Sequence, residues 1–276
     1  MQIPSELKSI VANLPSAPDS CPVPLGGGCI HRAWKWGPYF IKTNSVSYER
    51  VFQAEADCLA ALRLTGSIRV PELISRGQTQ DSAYLVLEYL DLQPTGNEAR
   101  LGEQLAALHH HQHTDFGFPS DNFIGASPQS NQHTRSWTDF FRDQRILPIL
   151  SALEAKGISF QRADRFLERL AELLPQSPKA SLLHGDLWSG NRAFLKQGTP
   201  VIFDPACYFG HAACDLAMTR LFGGFGPQFY HAYRSHSAFD DPSLDEIYNL
   251  YHLLNHALLF GGSYISQAGD IIRRFS

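Results

Sequence analysis

The sequence predicts an α+β protein of two lobes: a small β-rich N-terminal lobe with one main helix, and a larger, mostly helical C-terminal lobe. In the first part of the chain, short apolar runs separated by glycines and turn residues indicate strands, and residues 48–64 have helical periodicity. Further on, apolar residues recur mainly at helical spacing, except in two short runs at residues 181–183 and 200–203. We therefore place the lobes at residues 1–91 and 92–276.

The first lobe begins with a short helix within residues 1–20 and a strand that ends at a triple glycine, residues 26–28. Extended segments at residues 30–36 and 39–42 follow, and the second ends in Lys42. Glycines let backbone N–H groups approach phosphates, and a lysine adds a point charge, so this pattern predicts a nucleotide clamp. For the glycines alone, an ordinary hairpin turn is the alternative. The candidate residues are Gly27, Gly28, Cys29 and Lys42.

The helix at residues 48–64 carries a carboxylate on its apolar stripe. Val51, Glu55 and Leu59 follow one another at intervals of four residues, so Glu55 faces the protein interior. A buried carboxylate needs a partner, and Lys42 is the natural one. A lysine–glutamate pair between strand and helix is typical of kinases. The alternative is that Glu55 extends to solvent at the edge of the stripe.

Two further strands, residues 70–77 and 83–89, complete the first lobe, and a break follows them at residues 93–96. A strand that stops at such a break before a helical region is a candidate hinge between lobes. We expect the backbone groups of this hinge to bind an adenine edge. The candidate residues are Glu88, Tyr89 and Leu90.

A polar loop between the two short strands of the second lobe carries the strongest chemical signal. It contains His184, Asp186 and Asn191 at the spacing H-x-D-x-x-x-x-N, and Asp204 follows the next apolar run. This spacing matches the kinase catalytic loop. We predict phosphoryl transfer, with Asp186 as the base and Asn191 and Asp204 as Mg²⁺ ligands. His-Gly-Asp alone would more often be a turn.

Other polar residues of the second lobe leave alternatives open. His109 and His113 are four residues apart at a helix end, where they could bind a metal or simply favour the helix C-terminus, and we prefer the second interpretation. Asp215 either bonds the catalytic-loop backbone or caps a helix that starts near Ala213. A long helix is expected at residues 244–267, where His256 could line a substrate pocket or pack in the core.

Aromatic residues after Ser136 are expected to form core. Ser136 and Asp139 have the spacing of a helix start, and Trp137, Phe140 and Phe141 follow that start closely.

The bulk composition excludes several classes of protein. The chain has 276 residues, 43% of them hydrophobic and 18% charged, with a net charge of −4 and no basic run, which argues against nucleic acid. No apolar run approaches the roughly 20 residues of a membrane span, and no signal peptide is apparent, so we expect a cytoplasmic protein. Five cysteines without C-x-x-C spacing indicate reduced thiols.

Taken together, these motifs resemble the fructosamine kinases, or ketosamine-3-kinases, within the aminoglycoside and choline phosphotransferase group. The resemblance implies a protein-kinase-like fold. The resemblance covers nearly the whole chain. Its most specific parts are His184 to Asn191 and Asp204 to His211. The other matching segments are residues 26–30, 40–44, 54–56, 116–118, 121–125, 136–137, 140–141 and 215–219.

The resemblance implies ATP-dependent phosphorylation of the sugar 3-hydroxyl in a ketoamine, either a small molecule or a glycated protein lysine. The product then breaks down, so the activity amounts to deglycation. Asp186 would be the base, Lys42 the phosphate clamp and Glu55 its orienting partner. Trp188 would stack on the sugar adduct. A choline- or aminoglycoside-type kinase and an inactive kinase-like scaffold are the competing hypotheses.

Two positions affect the details of this resemblance. Members of the family usually carry Arg-Glu before the Asp-Leu-Ala segment, where this chain has Ala212 and Ala213. Cys29 lies beside the predicted phosphate-binding groups, where its thiol could have a lowered pKa. Redox control, or a dimer formed through Cys29, is therefore a hypothesis.

Overall fold

The computed structural model of the protein describes residues 3–26 and 30–276. Its N-terminal part contains a five-stranded antiparallel sheet and two helices. The strands are β1 (Val23–Leu25), β2 (Arg32–Trp36), β3 (Tyr39–Asn44), β4 (Leu73–Gln78) and β5 (Ala83–Glu88), and the helices are α1 (Ser5–Lys8) and α2 (Glu49–Leu64). The strand order is β1-β2-β3-β5-β4. The helix and strands predicted for residues 39–89 are present with ends that shift by up to three residues.

Successive side chains of β3 and β5 point to opposite faces of the sheet, and both faces are apolar. Ile41 and Val86 lie on one face and pack with Leu7 of α1, whereas Leu85 lies on the other face and packs with α2. Lys42 is opposite Leu85 in the ladder and therefore shares the α2 face. The strand period thus directs the lysine side chain toward the helix that carries Glu55.

The C-terminal part is built mainly of helices around one large apolar core. Its helices are α3 (Glu98–His109), α4 (Trp137–Phe141), α5 (Leu147–Glu154), α6 (Ala163–Leu173), α7 (Ala213–Leu221), α8 (Pro227–His236), α9 (Asp245–Phe260) and α10 (Ser263–Phe275). A π-helical turn, Arg142–Ile146, joins α4 to α5. The Ser136 hydroxyl caps α4, and Trp137, Phe140 and Phe141 are buried, as predicted.

Three small sheets lie among these helices. The strands are β6 (Gln112–His113), β7 (Asn122–Ile124), β8 (Ser127–Gln129), β9 (Ala180–Leu183), β10 (Arg192–Phe194), β11 (Pro200–Ile202) and β12 (Tyr208–Gly210). They pair as β12-β9-β6, β10-β11 and β7-β8. The expectation that only the two short runs at residues 181–183 and 200–203 interrupt the helices was therefore wrong. Strands of two or three residues are too short to show a sequence period.

The long helix expected at residues 244–267 is also wrong, because α9 and α10 are separate helices. Gly261 and Gly262 lie between them with φ of +66° and +64°, a left-handed conformation that ends a helix. Among the described residues, no helix has the length and apolar character needed to cross a membrane.

Candidate active site

The catalytic loop begins where β9 ends. Gly185 has φ of +84°, and a Cβ at this position would lie 2.1 Å from the carbonyl oxygen of Ala206. Glycine is required at this position because L-residues avoid this backbone conformation and because a side chain would collide with Ala206. The loop is thereby held directly against the segment that follows Asp204.

Asp215, near the start of α7, anchors this loop from beneath. Its carboxylate accepts hydrogen bonds from the backbone N–H groups of His184 (2.7 Å) and Gly185 (2.9 Å). Burial alone would raise the pKa of Asp215, but the contact with His109, the nearby His184 and the hydrogen bond from the Gly185 N–H together lower it. Of the two roles considered for Asp215, the structure shows the bond to the catalytic-loop backbone.

Asp186 and Asn191 are joined within the loop. The Asn191 side-chain amide donates to the Asp186 carbonyl oxygen at 2.8 Å and to its Oδ2 at 3.1 Å. Burial, and next the negative charge of Asp204, raise the pKa of Asp186 to about 7. A carboxylate with a pKa near neutrality can accept a proton from a hydroxyl.

Lys42 connects Asp204 to the helix of the N-terminal part. Its Nζ donates to Glu55 Oε1 at 2.7 Å and to Asp204 Oδ1 at 2.6 Å. Glu55 is 9% exposed, so the lysine–glutamate pair predicted from the helical stripe is present and buried. Burial would lower the pKa of Lys42, but the charges of Asp204 and Glu55 raise it and keep the ammonium charged.

Asp204 itself faces the open side of the site. Its side chain is 47% exposed, and its backbone has φ of +58°, a left-handed conformation unusual for a residue other than glycine. Burial favours a higher pKa, but Lys42 lowers it, so Asp204 stays ionised. Asp186 and Asp204 therefore lie at one site, opposite the ammonium group of Lys42.

An aromatic group flanks the catalytic loop. Trp188 is 38% exposed and packs edge-on against Phe222 with ring centroids 6.4 Å apart. The Phe222 ring also contacts His256 (4.9 Å), which in turn contacts Tyr264 (5.0 Å). The structure thus links Trp188 with His256 through Phe222. Phe222 and Tyr264 were missed in the sequence, because isolated aromatic residues near helix ends carry no recognisable pattern.

The predicted hinge residues differ in how their backbone groups are used. The Tyr89 amide donates to Pro38 at 2.7 Å and the Glu88 amide to Glu72 at 3.0 Å, whereas Leu90 makes no backbone hydrogen bond to any described residue. Among the described residues, the amide of Leu90 is therefore the one of these three without a backbone acceptor, whereas the amide of Tyr89 is already bonded. The predicted Gly27, Gly28 and Cys29 lie outside the described residues.

Comparison with known proteins decides the family. A family model described as fructosamine kinase matches residues 18–276. The chain belongs to the fructosamine kinase family. A probable ketoamine kinase of Vibrio parahaemolyticus is 43% identical over 258 residues, covering 89% of each chain. A chloroplastic protein-ribulosamine 3-kinase of Arabidopsis thaliana is 38% identical over 264 residues, covering 90% of this chain and 80% of that protein.

Solved structures agree with this assignment to the fructosamine kinase family. A crystal structure assigned as a fructosamine-3-kinase of Haemophilus somnus has a TM-score of 0.89 and 30% identity, covering 97% of this chain and 95% of that one. An aminoglycoside phosphotransferase has a TM-score of 0.62 at 16% identity, covering 98% of each chain, and shares the fold. The two-lobed, protein-kinase-like α+β fold and the resemblance to fructosamine kinases are confirmed, and the chain is a phosphotransferase.

The residues present fit the Mg²⁺ that a kinase requires. The side-chain nitrogen of Asn191 donates both of its hydrogen bonds to Asp186. The side-chain oxygen of Asn191, Oδ1, is therefore available to bind a cation. Asp204 is partly exposed and ionised, so the site offers carboxylate and amide oxygens, the ligands that Mg²⁺ prefers.

A buried network of polar side chains bonds the backbone of the segment next to Asp204 in this fructosamine kinase site. The sequence analysis did not predict this network. The Asn122 side chain donates to the Cys207 carbonyl at 2.7 Å, and Gln129 donates to the Ala206 carbonyl at 3.1 Å and to Asn122 at 2.7 Å. These bonds hold the backbone of the segment that follows Asp204. The stretch around Asn122 matches the family, but nothing in its spacing indicated this contact.

The metal pair considered for His109 and His113 does not form. His109 is buried, with Nδ1 2.7 Å from the Tyr233 hydroxyl and Nε2 3.2 Å from Asp215, whereas His113 lies in β6 and is exposed. The helix ends at His109, so the spacing of four residues no longer places both rings on one face.

Proposed function

We propose that this chain phosphorylates a sugar hydroxyl of ketoamines, with ATP as the phosphate donor. The acceptor group is the 3-hydroxyl of a fructosamine or ribulosamine adduct, on a small amine or on a protein lysine. The names of the relatives support this substrate class. The observation that carries the proposal is the convergence of Asp186 and Asp204 on one site, with Lys42 Nζ 2.6 Å from Asp204.

Asp186 acts as the base in this proposal. Its raised pKa lets it take the hydroxyl proton as the sugar oxygen bonds to the γ-phosphorus, while the bond from the γ-phosphorus to the β–γ bridging oxygen breaks and ADP leaves. The Asn191 amide holds the Asp186 carboxylate in place. Asn191 and Asp204 would hold Mg²⁺, which neutralises charge on the triphosphate. Lys42, kept charged by Glu55, contacts the α- and β-phosphates.

The two parts of the chain divide these tasks. Residues 1–91 clamp the nucleotide through Gly27, Gly28, Cys29 and Lys42, with Leu90 and the carbonyl of Glu88 at the adenine. Residues 92–276 supply the catalytic loop and the acceptor site. A dimer formed through Cys29 stays a prediction.

Trp188 is the proposed platform for the acceptor. It lies two residues after the base, is partly exposed, and rests against Phe222. A flat ring in that position stacks on the sugar adduct, and His256 contacts the same Phe222 ring.

A panel of phosphate acceptors tests the proposal. Purified protein with ATP and Mg²⁺ is assayed on fructosyl-lysine, ribulosyl-lysine, choline and an aminoglycoside, and the phosphorylated position is assigned by NMR. We expect phosphorylation of the ketoamines at the 3-hydroxyl. Asp186→Asn should lower kcat by several orders of magnitude while nucleotide still binds.

The matched control is Asp270→Asn, since Asp270 is an exposed aspartate on α10. It should retain wild-type turnover. Preferential turnover of choline or the aminoglycoside would contradict the ketoamine assignment, and near-normal turnover by Asp186→Asn would contradict its role as the base.

A further inference from the structure

A cluster of three metal-binding side chains lies outside the kinase site, at the start of the small sheet β12-β9-β6. His113, Asp115 and His133 each offer one ligand atom, and these atoms all lie within 4.8 Å of one another. Both histidines are exposed, so an ion can reach them from solvent. We propose that these residues form a binding site for a borderline divalent cation such as Zn²⁺.

The carboxylate of Asp115 is a second, independent observation that favours a bound cation. Its Oδ1 is buried yet accepts no hydrogen bond from any described residue. A buried carboxylate oxygen without a donor is unfavourable, and a cation removes that deficit. The Nε of Arg135 is 3.6 Å away, but the Arg135 side chain is 94% exposed, so this contact is weak and easily displaced.

Backbone atoms of Asp115 hold the His113 ring. The Asp115 N–H donates to Nδ1 of His113 at 3.1 Å, and the Asp115 carbonyl oxygen lies 3.1 Å from the same nitrogen. In this arrangement Nδ1 accepts, so the proton of the neutral ring is on Nε2. An ion that binds at Nε2 selects the other tautomer, in which Nδ1 carries the proton and donates to the Asp115 carbonyl oxygen.

The backbone that carries the ligands is held in place. Phe116, next to Asp115, and Thr134, next to His133, exchange backbone hydrogen bonds of 2.9 and 3.0 Å. Gly117 bonds Phe209 of β12 in the same way, at 3.0 and 2.7 Å. Metal–ligand bonds are about 2.0–2.2 Å long. On binding, the two exposed imidazoles rotate to bring their nitrogens to that distance from the ion.

The ligand types define which ions bind. Two imidazoles and one carboxylate suit Zn²⁺, Ni²⁺ or Cu²⁺ and do not suit Mg²⁺, which prefers oxygen ligands. Three protein ligands leave a position for water. The bound ion would join residues 113–115 to residue 133 and, through the contact of His113 with Phe209 (5.0 Å between ring centroids), to β12.

Zn²⁺ titration of the full chain tests this site by a readout other than catalysis. The protein is stripped with a chelator, and Zn²⁺ binding is measured calorimetrically in excess Mg²⁺, while Co²⁺ is used to record visible absorption. We expect one Zn²⁺ per chain. His133→Ala and Asp115→Asn should each weaken binding by at least about tenfold and abolish the Co²⁺ bands.

Two further variants serve as controls. His231→Ala removes an exposed histidine on α8 outside the cluster and should leave binding unchanged. Arg135→Ala removes the competing cation and should leave binding equal or tighter. Equal affinity in the wild type, His133→Ala and Asp115→Asn would place the ion elsewhere and overturn the proposal, as would absence of binding to the wild type. If Asp115→Asn fails to fold, the exposed His133→Ala decides.

Discussion

Asp186 has an environment unlike that of a surface aspartate. Burial and the charge of Asp204 both favour its protonated form, and only the Asn191 hydrogen bond opposes them. Gly185 and Asp215 fix the backbone beside it, and the Asn191 amide bonds its carboxylate. The raised pKa is therefore a consequence of the loop geometry.

This geometry predicts the pH dependence of catalysis. We expect kcat/KM for the acceptor, at saturating ATP and Mg²⁺, to fall as the pH is lowered, because only ionised Asp186 accepts the hydroxyl proton. A cation at Asp204 offsets part of that residue's charge, so the midpoint should lie above the ordinary value of 3.8 and no higher than about 7. The measurement is a pH–rate profile.

The pH dependence of folding stability serves as a control for this experiment. The contribution of Asp186 to stability changes with pH in the direction opposite to the expected change in activity. The folded state holds the Asp186 proton more tightly than the unfolded chain does, so this residue opposes folding increasingly as the pH rises from about 4 to about 7. Loss of activity on acidification therefore cannot arise from Asp186 destabilising the fold. A midpoint at or below 3.8, with the protein still folded, would contradict the assignment.

At the scale of elements, the β7–β8 hairpin joins α2 to the segment after Asp204. The Asn122 side chain bonds the Cys207 carbonyl and also lies 3.5 Å from Sγ of Cys58, a residue of α2. The same helix carries Glu55. One buried asparagine therefore contacts both the helix that carries Glu55 and the segment that follows Asp204, the proposed metal ligand.

Removing this contact should affect both stability and turnover. Asn122→Ala leaves the Cys207 carbonyl without its donor, and we expect a loss of about 1–3 kcal/mol in the free energy of unfolding. Because Asp204 is displaced with its segment, kcat should fall more than the KM for the acceptor rises. Chemical denaturation and steady-state kinetics measure the two effects.

The matched control for this variant is Asn13→Ala, since Asn13 is exposed and its side chain makes a single long bond among the described residues, 3.5 Å to the Ser9 carbonyl oxygen. It should match the wild type in both measurements. An Asn122→Ala enzyme with normal stability and kcat would show that the hairpin does not position Asp204.

At the scale of the whole molecule, the features that follow from periodicity were predictable and those that depend on tertiary contact were not. The apolar stripe of α2 predicted the buried Glu55, and the need of this carboxylate for a cation, together with the kinase pattern, predicted Lys42 beside it. The kinase spacing singled out Asp186, Asn191 and Asp204, which the structure brings together.

The rest depended on contacts across the chain. Asn122 and Cys207 are 85 residues apart in sequence, and Phe222 reaches His256 only because α7 and α9 pack together. The glycine pair between α9 and α10 was visible, but its left-handed conformation was not. The lobe boundary near residue 92 stays a prediction.

The buried Lys42–Glu55 pair allows a final test that involves both parts of the molecule. Lys42→Met leaves Glu55 buried without its cation, and we expect a loss of about 3–5 kcal/mol in the free energy of unfolding. The double variant Lys42→Met with Glu55→Leu removes both charges and should recover most of that loss, yet remain inactive because no ammonium contacts the phosphates. Urea denaturation and kinase assays distinguish these outcomes.

The stability of the single variant Lys42→Met should also depend on pH, which gives a second test of the same pair. Burial already raises the pKa of Glu55 in the wild type, and loss of Lys42, whose charge lowers it, raises the pKa further. Below the ordinary glutamate value of 4.5 both folded and unfolded states are protonated, so the deficit of Lys42→Met should be small there and grow as the pH rises through the folded pKa. A deficit that is constant with pH, or a double variant as unstable as the single one, would mean that lost packing of the lysine stem, and not the uncompensated carboxylate, destabilises the protein.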